Sequence, residues 1–271
     1  MTSSGLELRA DCERCFGLCC VAPAFSASAD FAIDKAAGRP CPNLRADNRC
    51  EIHAGLRQRG FPGCAVYDCF GAGQKVAQVT FGGRDWRSRP ETAAQMFEAF
   101  RLMRQLHELL WYLSEAVALA PGEPLARELR SALDDTEQLT RSTAEELVEL
   151  DVDSHRQVVN GLLRRTSELV RRHDAPAQVD HRGADLAGRD LAGADLTAAD
   201  LRGASLIGAD LSGARLARAD LTGADLRGAR LGGADLAESI FLTQAQLDAA
   251  NGDLETRLPA SVARPAHWRR H

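Results

Sequence analysis

Aromatic side chains are scarce, at 5% of 271 residues, and no stretch approaches the ~18 uninterrupted apolar residues that a spanning helix needs. The opening MTSSGLELRADCERC lacks a basic segment followed by an apolar run, so no leader is read there and the expected location is cytoplasmic, with no membrane partner. Basic charge is not in excess either. The formal net charge is −5 and the pI about 5.8, which gives no general reason to expect nucleic acid or an anionic membrane as partner. The glycine-bearing stretch FGAGQKVAQVTFGGRDW, 70–86, contains neither GxxxxGK[ST] nor GxGxxG, and the alternation of Val76, Val79 and Phe81 suits a short strand or hairpin rather than a nucleotide loop. No Ser/His/Asp grouping or paired carboxylate stands at a spacing that points to a catalytic site, so no catalytic residue is assigned.

What is present falls into zones. All eight cysteines lie before residue 70, the aromatics cluster between Phe61 and Tyr112, and the last third is repetitive. The expected order is a cysteine-rich segment over 1–86, a helical connector over 90–173, a repeat domain over 181–245 and a C-terminal cap and tail over 246–271.

The connector reads as a helical hairpin or three-helix unit. Pro90 suits a helix start, and Ala99, Leu102, Leu106, Leu109, Leu113 and Val117 recur at steps of three and four. APGEP, 120–124, breaks that helix and lets Pro124 open a second; STAE, 142–145, resembles a capping box that starts a third through Val170, with a break near 151–153. The apolar stripe reads as core or as the seam of a homodimer, and His107 within it as a packed side chain. RRHDAPAQVDHRG, 171–183, reads as a polar linker.

Beyond it, leucine stands at 186, 191, 196, 201, 206, 211, 216, 221, 226, 231 and 236, and the residue two before each is alanine except Arg189. A period of five fits neither a helix nor a strand, so large and tiny inward side chains are expected to alternate in a narrow coil. Glycine two residues after most leucines, as at Gly188, Gly203 and Gly223, marks corners that need positive φ. This stretch resembles the pentapeptide-repeat family from about His181 to Phe241, and FLTQAQLDAANGDLETRLP, 241–259, is similar to the ending of many bacterial members. The resemblance implies a right-handed, four-sided β-helix with four pentapeptides per coil, hence about three coils stacked at ~4.8 Å. Some members of the family mimic DNA and occupy DNA gyrase, which makes gyrase binding an alternative function. Between His181 and Ile240, however, nine acidic residues face seven arginines, and arginine interrupts two of the four columns formed by residues twenty apart. A duplex carries about one charge per 1.7 Å, so a mimic needs a longer and less compensated stripe.

The cysteines fall in CERCFGLCC (Cys12, Cys15, Cys19, Cys20), CPNLRADNRC (Cys41, Cys50) and CAVYDC (Cys64, Cys69). In a reducing compartment such an array points to metal ligation rather than disulfides. The array over 12–75 resembles the CxxCxxxCC family, YkgJ-like, a zinc- or iron-chelating domain, with Cys41, Pro42, Leu44, Cys50, Ile52, Cys64, Tyr67 and Cys69 filling its later motif positions. It departs from that family at LRQRGFPGC, where the proline is displaced to Pro62. The resemblance implies that all eight cysteines serve as ligands, and zinc and an iron–sulfur cluster both suit thiolate sets. His53 is read either as a substitute ligand or as a loop residue; adjacent Cys19 and Cys20 are not expected on the same ion, so that one of them serves a second site or remains a free thiol. The functional expectation is a non-enzymatic, metal-binding repeat protein that engages a protein partner, its metal structural or redox-sensing; an iron–sulfur redox or modifying enzyme centred on the cysteines is the alternative.

Overall fold

The structure, a computed structural model, describes residues 7–120, 122, 124–172 and 180–268. Its contacts form two compact units, one holding the chain through Val117 together with Pro124–Leu162, the other Ala118–Glu123 together with Leu163 onward. No described helix is long and apolar enough to cross a membrane.

The first unit begins with loops pinned by single turns. Helix α1, Leu18–Val21, buries Leu18 and Val21 behind Gly17, which sits in the left-handed region. Two isolated antiparallel bridges, Phe25 with Lys35 and Leu44 with Cys50, close the loops that follow. Helix α2 is Pro62–Ala65, and α3, Ala72–Gln74, runs directly into a π-helical turn at Lys75–Thr80. This corrects the strand or hairpin expected at 70–86. Helical winding lets buried Gln74 donate to the Arg9 carbonyl (2.7 Å) and accept from the Asp11 amide (3.2 Å), while Val76 and Ala77 turn into the core and Val79 is left outside. Those side-chain bonds to the backbone outweigh an alternation only three residues long.

Helix α4, Ala93–Leu119, follows a 3₁₀ turn opened by Pro90, and Met96, Phe100, Met103, Leu106, Leu110 and Leu113 form its buried stripe. Helices α5 (Leu125–Leu139), α6 (Ala144–Glu149) and α7 (Val152–Arg171) complete the helical part. The capping box of α6 lies one residue later than expected. Thr143 Oγ1 accepts from the Glu146 amide (3.2 Å) and the Glu146 carboxylate accepts from the Thr143 amide (2.8 Å), because Glu145 is instead engaged by Gln95 at 3.1 Å. Leu18, Val21 and Val76 share one core with Met96, Phe100, Met103, Leu106, Leu147 and Val152, so the cysteine-bearing loops are anchored on the helices rather than on a core of their own. Each fully buried leucine there contributes ~1.5–3 kcal/mol before chain entropy is subtracted.

In the second unit the fivefold period becomes a coil. Parallel bridges join residues twenty apart, Asp180 to Asp200, Asp185 to Ser205, Asp190 to Asp210 and onward to Asp220 with Ile240, so four pentapeptides make one turn. No described residue here lies in an extended strand; the ladder is built from single bridges alternating with turns. Most corners are four-residue turns in which alanine donates back to leucine, as Ala204 does to Leu201 at 3.0 Å, and whose third residue has φ near +60°; Arg189 and Ser239 take the alanine's place at two corners. Glycine fills most of these third positions. Ala198 (φ 56°) and Arg218 (φ 58°) take the same conformation without being glycine. The aspartate before each leucine also ties down its own turn, since its carboxylate accepts the amide two residues on, as Asp185 does from Ala187 (3.1 Å) and Asp210 from Ser212 (3.0 Å).

Leucines from Leu196 to Leu236 and the alanines from Ala199 to Ala234 fill the axis, while Leu186 and Leu191 are only partly buried. The C-terminal segment closes one end. Helix α8, Gln244–Ala249, is capped by Thr243 and Gln246; the Gln246 side chain donates to the carbonyls of Leu221 (2.7 Å) and Ala224 (2.9 Å), and Trp268 covers the last coil. These bonds satisfy backbone groups that an open edge would leave unpaired. The end of α7 also belongs to this unit: Arg171, 5% exposed, bonds Ser167 Oγ (3.0 Å), the Ala198 carbonyl (3.3 Å) and Asp200 Oδ2 (3.1 Å). Across the exposed faces Arg215 meets Asp195, Arg230 meets Asp210 and Arg257 meets Asp235, each at 2.5 Å.

Candidate metal centre

All eight cysteines lie in the first unit and none is in a disulfide. Their local backbone is set by turns. Cys15 precedes α1 and Cys19 and Cys20 sit within it; Cys41 donates its amide to the Cys20 carbonyl (3.0 Å); Cys50 bridges to Leu44; Cys64 lies in α2; the Cys69 carbonyl accepts from Ala72 at the start of α3 (2.9 Å). Glycine at position 73 is required by this packing, since a Cβ there would stand 2.8 Å from Cys15 Cβ.

Backbone amides are aimed at several sulfurs. Gly17 donates to Cys15, Ile52 to Cys50, and both Gly71 and Gly73 to Cys69. Such donors favour thiolate and tune bound metal. Burial acts the other way, pushing the thiols of Cys50 and Cys69 up and that of Cys64 up to about 12. Cys12 is the exception: a hydrogen bond from the Cys15 side chain holds it down at about 6, against burial and with help from His53, while the same bond and burial push Cys15 up. Cys19 and Cys20, with Sγ atoms 3.9 Å apart, divide similarly, Cys19 raised by its bond to Cys20 and by burial, Cys20 lowered by its bond to Cys19.

One buried charged group was missed from the sequence. Lys35, 7% exposed, directs its ammonium at the carbonyls of Val21 (3.2 Å), Pro23, Ala36 (3.3 Å) and Arg39 (2.9 Å), and stands 4.6 Å from the centre of the Phe25 ring. The ionisable groups within its reach are the thiols of Cys41, Cys20 and Cys64; no carboxylate among the described residues is paired with it. The available signal was composition, because Lys35 and Lys75 are the only lysines among 33 basic residues.

The arrangement has the donor set for soft-metal binding: cysteine sulfurs, amide donors to those sulfurs, and a buried cation beside three of them. As placed, no three Cys, His, Asp or Glu side chains among the described residues stand close enough together to hold an ion. His53 lies close enough to Cys12 to hydrogen-bond it. His107 is buried on α4, its Nδ1 2.7 Å from the Phe70 carbonyl, and burial lowers it to about 4, which makes it a neutral packing residue.

Residues 182–217 and 214–251 match the family model described as pentapeptide repeats. The chain is 59% identical over 266 residues to YybG of Bacillus subtilis (strain 168), an uncharacterized protein, covering 97% of this chain and 95% of that one. Solved structures with similarity include a pentapeptide repeat protein from Nostoc PCC 7120, at 32% identity over 33% of this chain and 83% of the other, with a TM-score of 0.18. HetL of Nostoc sp. strain PCC 7120, a pentapeptide repeat protein involved in heterocyst differentiation regulation, is 37% identical over 31% of this chain and 42% of its own, with a TM-score of 0.18.

Proposed function

This chain belongs to one family with YybG and is a pentapeptide-repeat protein, and from that premise we propose that it is a non-enzymatic scaffold whose cysteine-rich front binds metal and whose coil presents a surface to a protein partner. The observation that carries the metal reading is Lys35. Four carbonyl oxygens surround that buried ammonium but carry no countercharge, and the ionisable groups in reach are thiols. A divalent ion or an iron–sulfur cluster removes thiol protons outright, which would convert Cys20, Cys41 and Cys64 into the countercharge. When bound, zinc would supply a cross-link among loops that lack a core of their own; an iron–sulfur cluster would add the ability to gain and lose an electron.

For the coil, the family resemblance supplies the right-handed, four-sided form. Its faces are regular and largely neutralised: the Asp195, Asp210 and Asp235 carboxylates are paired with arginines one turn on, and the others accept local amides. Such a face suits recognition by shape and hydrogen bonding, and it lacks the unbroken negative stripe that imitation of a duplex demands.

The test is anaerobic purification followed by elemental analysis and a visible spectrum. Zinc without colour, or iron with sulfide and broad absorption near 400 nm, is the expected result and names the metal. Folded protein free of both, with all eight thiols open to alkylation, refutes the metal reading.

A further inference from the structure

Three segments of the first unit enclose a cavity of about 550 Å³, and no cysteine lines it. One wall is the end of the π-helical turn and the loop after it, with Val79 and Arg84; a second is the start of α4 and the residues before it, with Arg89 and Gln95; the third is the connection from α5 into α6, 140–145. Bonds already made hold these walls. Gln95 donates to Glu145 at 3.1 Å and so ties α4 to α6, the Gly83 amide donates to the Ala77 carbonyl (2.9 Å), and the Thr143–Glu146 cap fixes the third wall. Small-molecule sites run from ~300 to ~1,000 Å³ and are largely formed before the ligand arrives, and this cavity meets both conditions.

Charge in the lining is one-sided. Arg84, Arg89 and Arg141 contribute three guanidinium groups against the single carboxylate of Glu145, which Gln95 already engages. Arg141 is paired with Glu137 and Arg89 only loosely with Glu91 at 3.5 Å, whereas Arg84 has no ion pair or side-chain hydrogen bond among the described residues. The hydroxyls of Thr80 and Ser142 are also without partners among them. Beside these polar groups lies an apolar wall, since Val79, 62% exposed, and half-buried Phe81 line the same space. The π winding that leaves Val79 outside the core is rare in itself and recurs at functional sites in other proteins.

We propose that this cavity binds a small organic anion, its phosphate or carboxylate held by Arg84 with Arg89 and Arg141, and its apolar part laid against Val79 and Phe81. Guanidinium groups present paired N–H donors that match the oxygens of either anion. Arg84 is the anchor, because it gives up only water to make such a contact, while Arg141 is shared with Glu137. The apolar wall supplies selectivity, since an inorganic anion gains nothing from it. Walls on three sides fit a compact molecule, where the broad face of an acidic protein would need an open patch. The site is separate from the cysteines in its lining, so it stands or falls independently of the metal reading.

The full-length chain, with whatever metal it carries, is titrated with phenyl phosphate by isothermal titration calorimetry, and in parallel with phenylacetate, inorganic phosphate and phenol. Saturation at one equivalent by phenyl phosphate or phenylacetate is expected, and the tighter of the two identifies the oxyanion. Inorganic phosphate and phenol should each bind about tenfold more weakly or worse, because each satisfies one half of the site. Arg84→Gln should weaken binding about tenfold, and a change of less than about twofold would put the ligand elsewhere and overturn the proposal. Arg84 is exposed and holds no other side chain, so this variant tests the site without testing the fold. Inorganic phosphate binding as tightly as phenyl phosphate also overturns the proposal, as does the absence of saturable binding by both organic anions. Binding of polyglutamate in their place gives the arginines to an acidic protein surface and overturns it too.

Discussion

In the coil, the leucines at 206 and 226 fill equivalent places one turn apart, each fully or nearly fully buried among the same kinds of neighbour. In the cysteine-rich front no residue has such a double. Lys35, Gly73 and Gln74 each make a unique set of contacts, and the regular elements among them are single turns. Stability in the coil is a sum of like increments between adjacent turns, so losing one weakens it by a fraction. The front depends on a few points, each of which holds several loops at once.

On the proposed metal reading, a chelator presses hardest on this contrast. Structural zinc in small thiolate modules contributes ~10 kcal/mol or more of apparent folding energy, so a chelator should erase amide protection around Cys15, Cys41 and Gly73 while leaving it over Leu201–Leu231. Hydrogen exchange followed by mass spectrometry measures both regions in one sample. Equal loss in both would show that the coil has no independence. A smaller effect is expected from Arg171→Ala, which leaves the Asp200 carboxylate, 3% exposed, with one buried partner fewer and removes the donor to the Ala198 carbonyl. Breaking a buried pair costs about 3–5 kcal/mol, discounted here because Arg202 still bonds Asp200 at 2.7 Å. Denaturant unfolding of the coil should register about half that range or more; a change within about ±0.5 kcal/mol would make the coil self-sufficient at this face.

Acid sharpens the comparison from the other side. His107 titrates at about 4 when folded against an ordinary value of 6.5, so the unfolded chain binds the extra proton between those values. Its contribution is complete above pH 6.5 and fades as pH falls toward 4, a loss on the order of 3 kcal/mol confined to the first unit. His107→Gln should flatten the pH dependence of that unit's unfolding and leave the coil's unchanged. Least of all should come from Gly203→Ala. The position has φ +63° and open space around the added Cβ, so only backbone conformation is at stake, ~1–2 kcal/mol by denaturant unfolding. A drop much larger than that would mean that a single corner controls the whole coil.

The coil was legible because its signal is repeated: leucine position, alanine position and the columns of residues twenty apart all follow from a count, and the bridges fall on those columns. Its irregularities were not. Nothing in the letters marks Ala198 and Arg218 as left-handed corners except the glycines around them, and the aspartates read as surface charge when their carboxylates also tie down turns. In the front, the cysteines identify themselves, but their surroundings depend on tertiary contacts such as the bond from the Cys41 amide to the Cys20 carbonyl. Lys35 could be read only as an ordinary surface residue without knowing that Val21 and Arg39 would surround it. The same holds for 70–86, where two side-chain bonds from Gln74 decided for helix.

The register of twenty has an implication for how such a chain can change length. Inserting five residues after Leu216 would rotate everything that follows by a quarter circle, and the lid would travel with its own edge, since its bonds run to Leu221, Ala224 and Leu231, while the face that meets Arg171 at Asp200 stays behind. Growth by whole circuits alone preserves the angle between those two ends; steps of five keep each end sealed and turn one against the other.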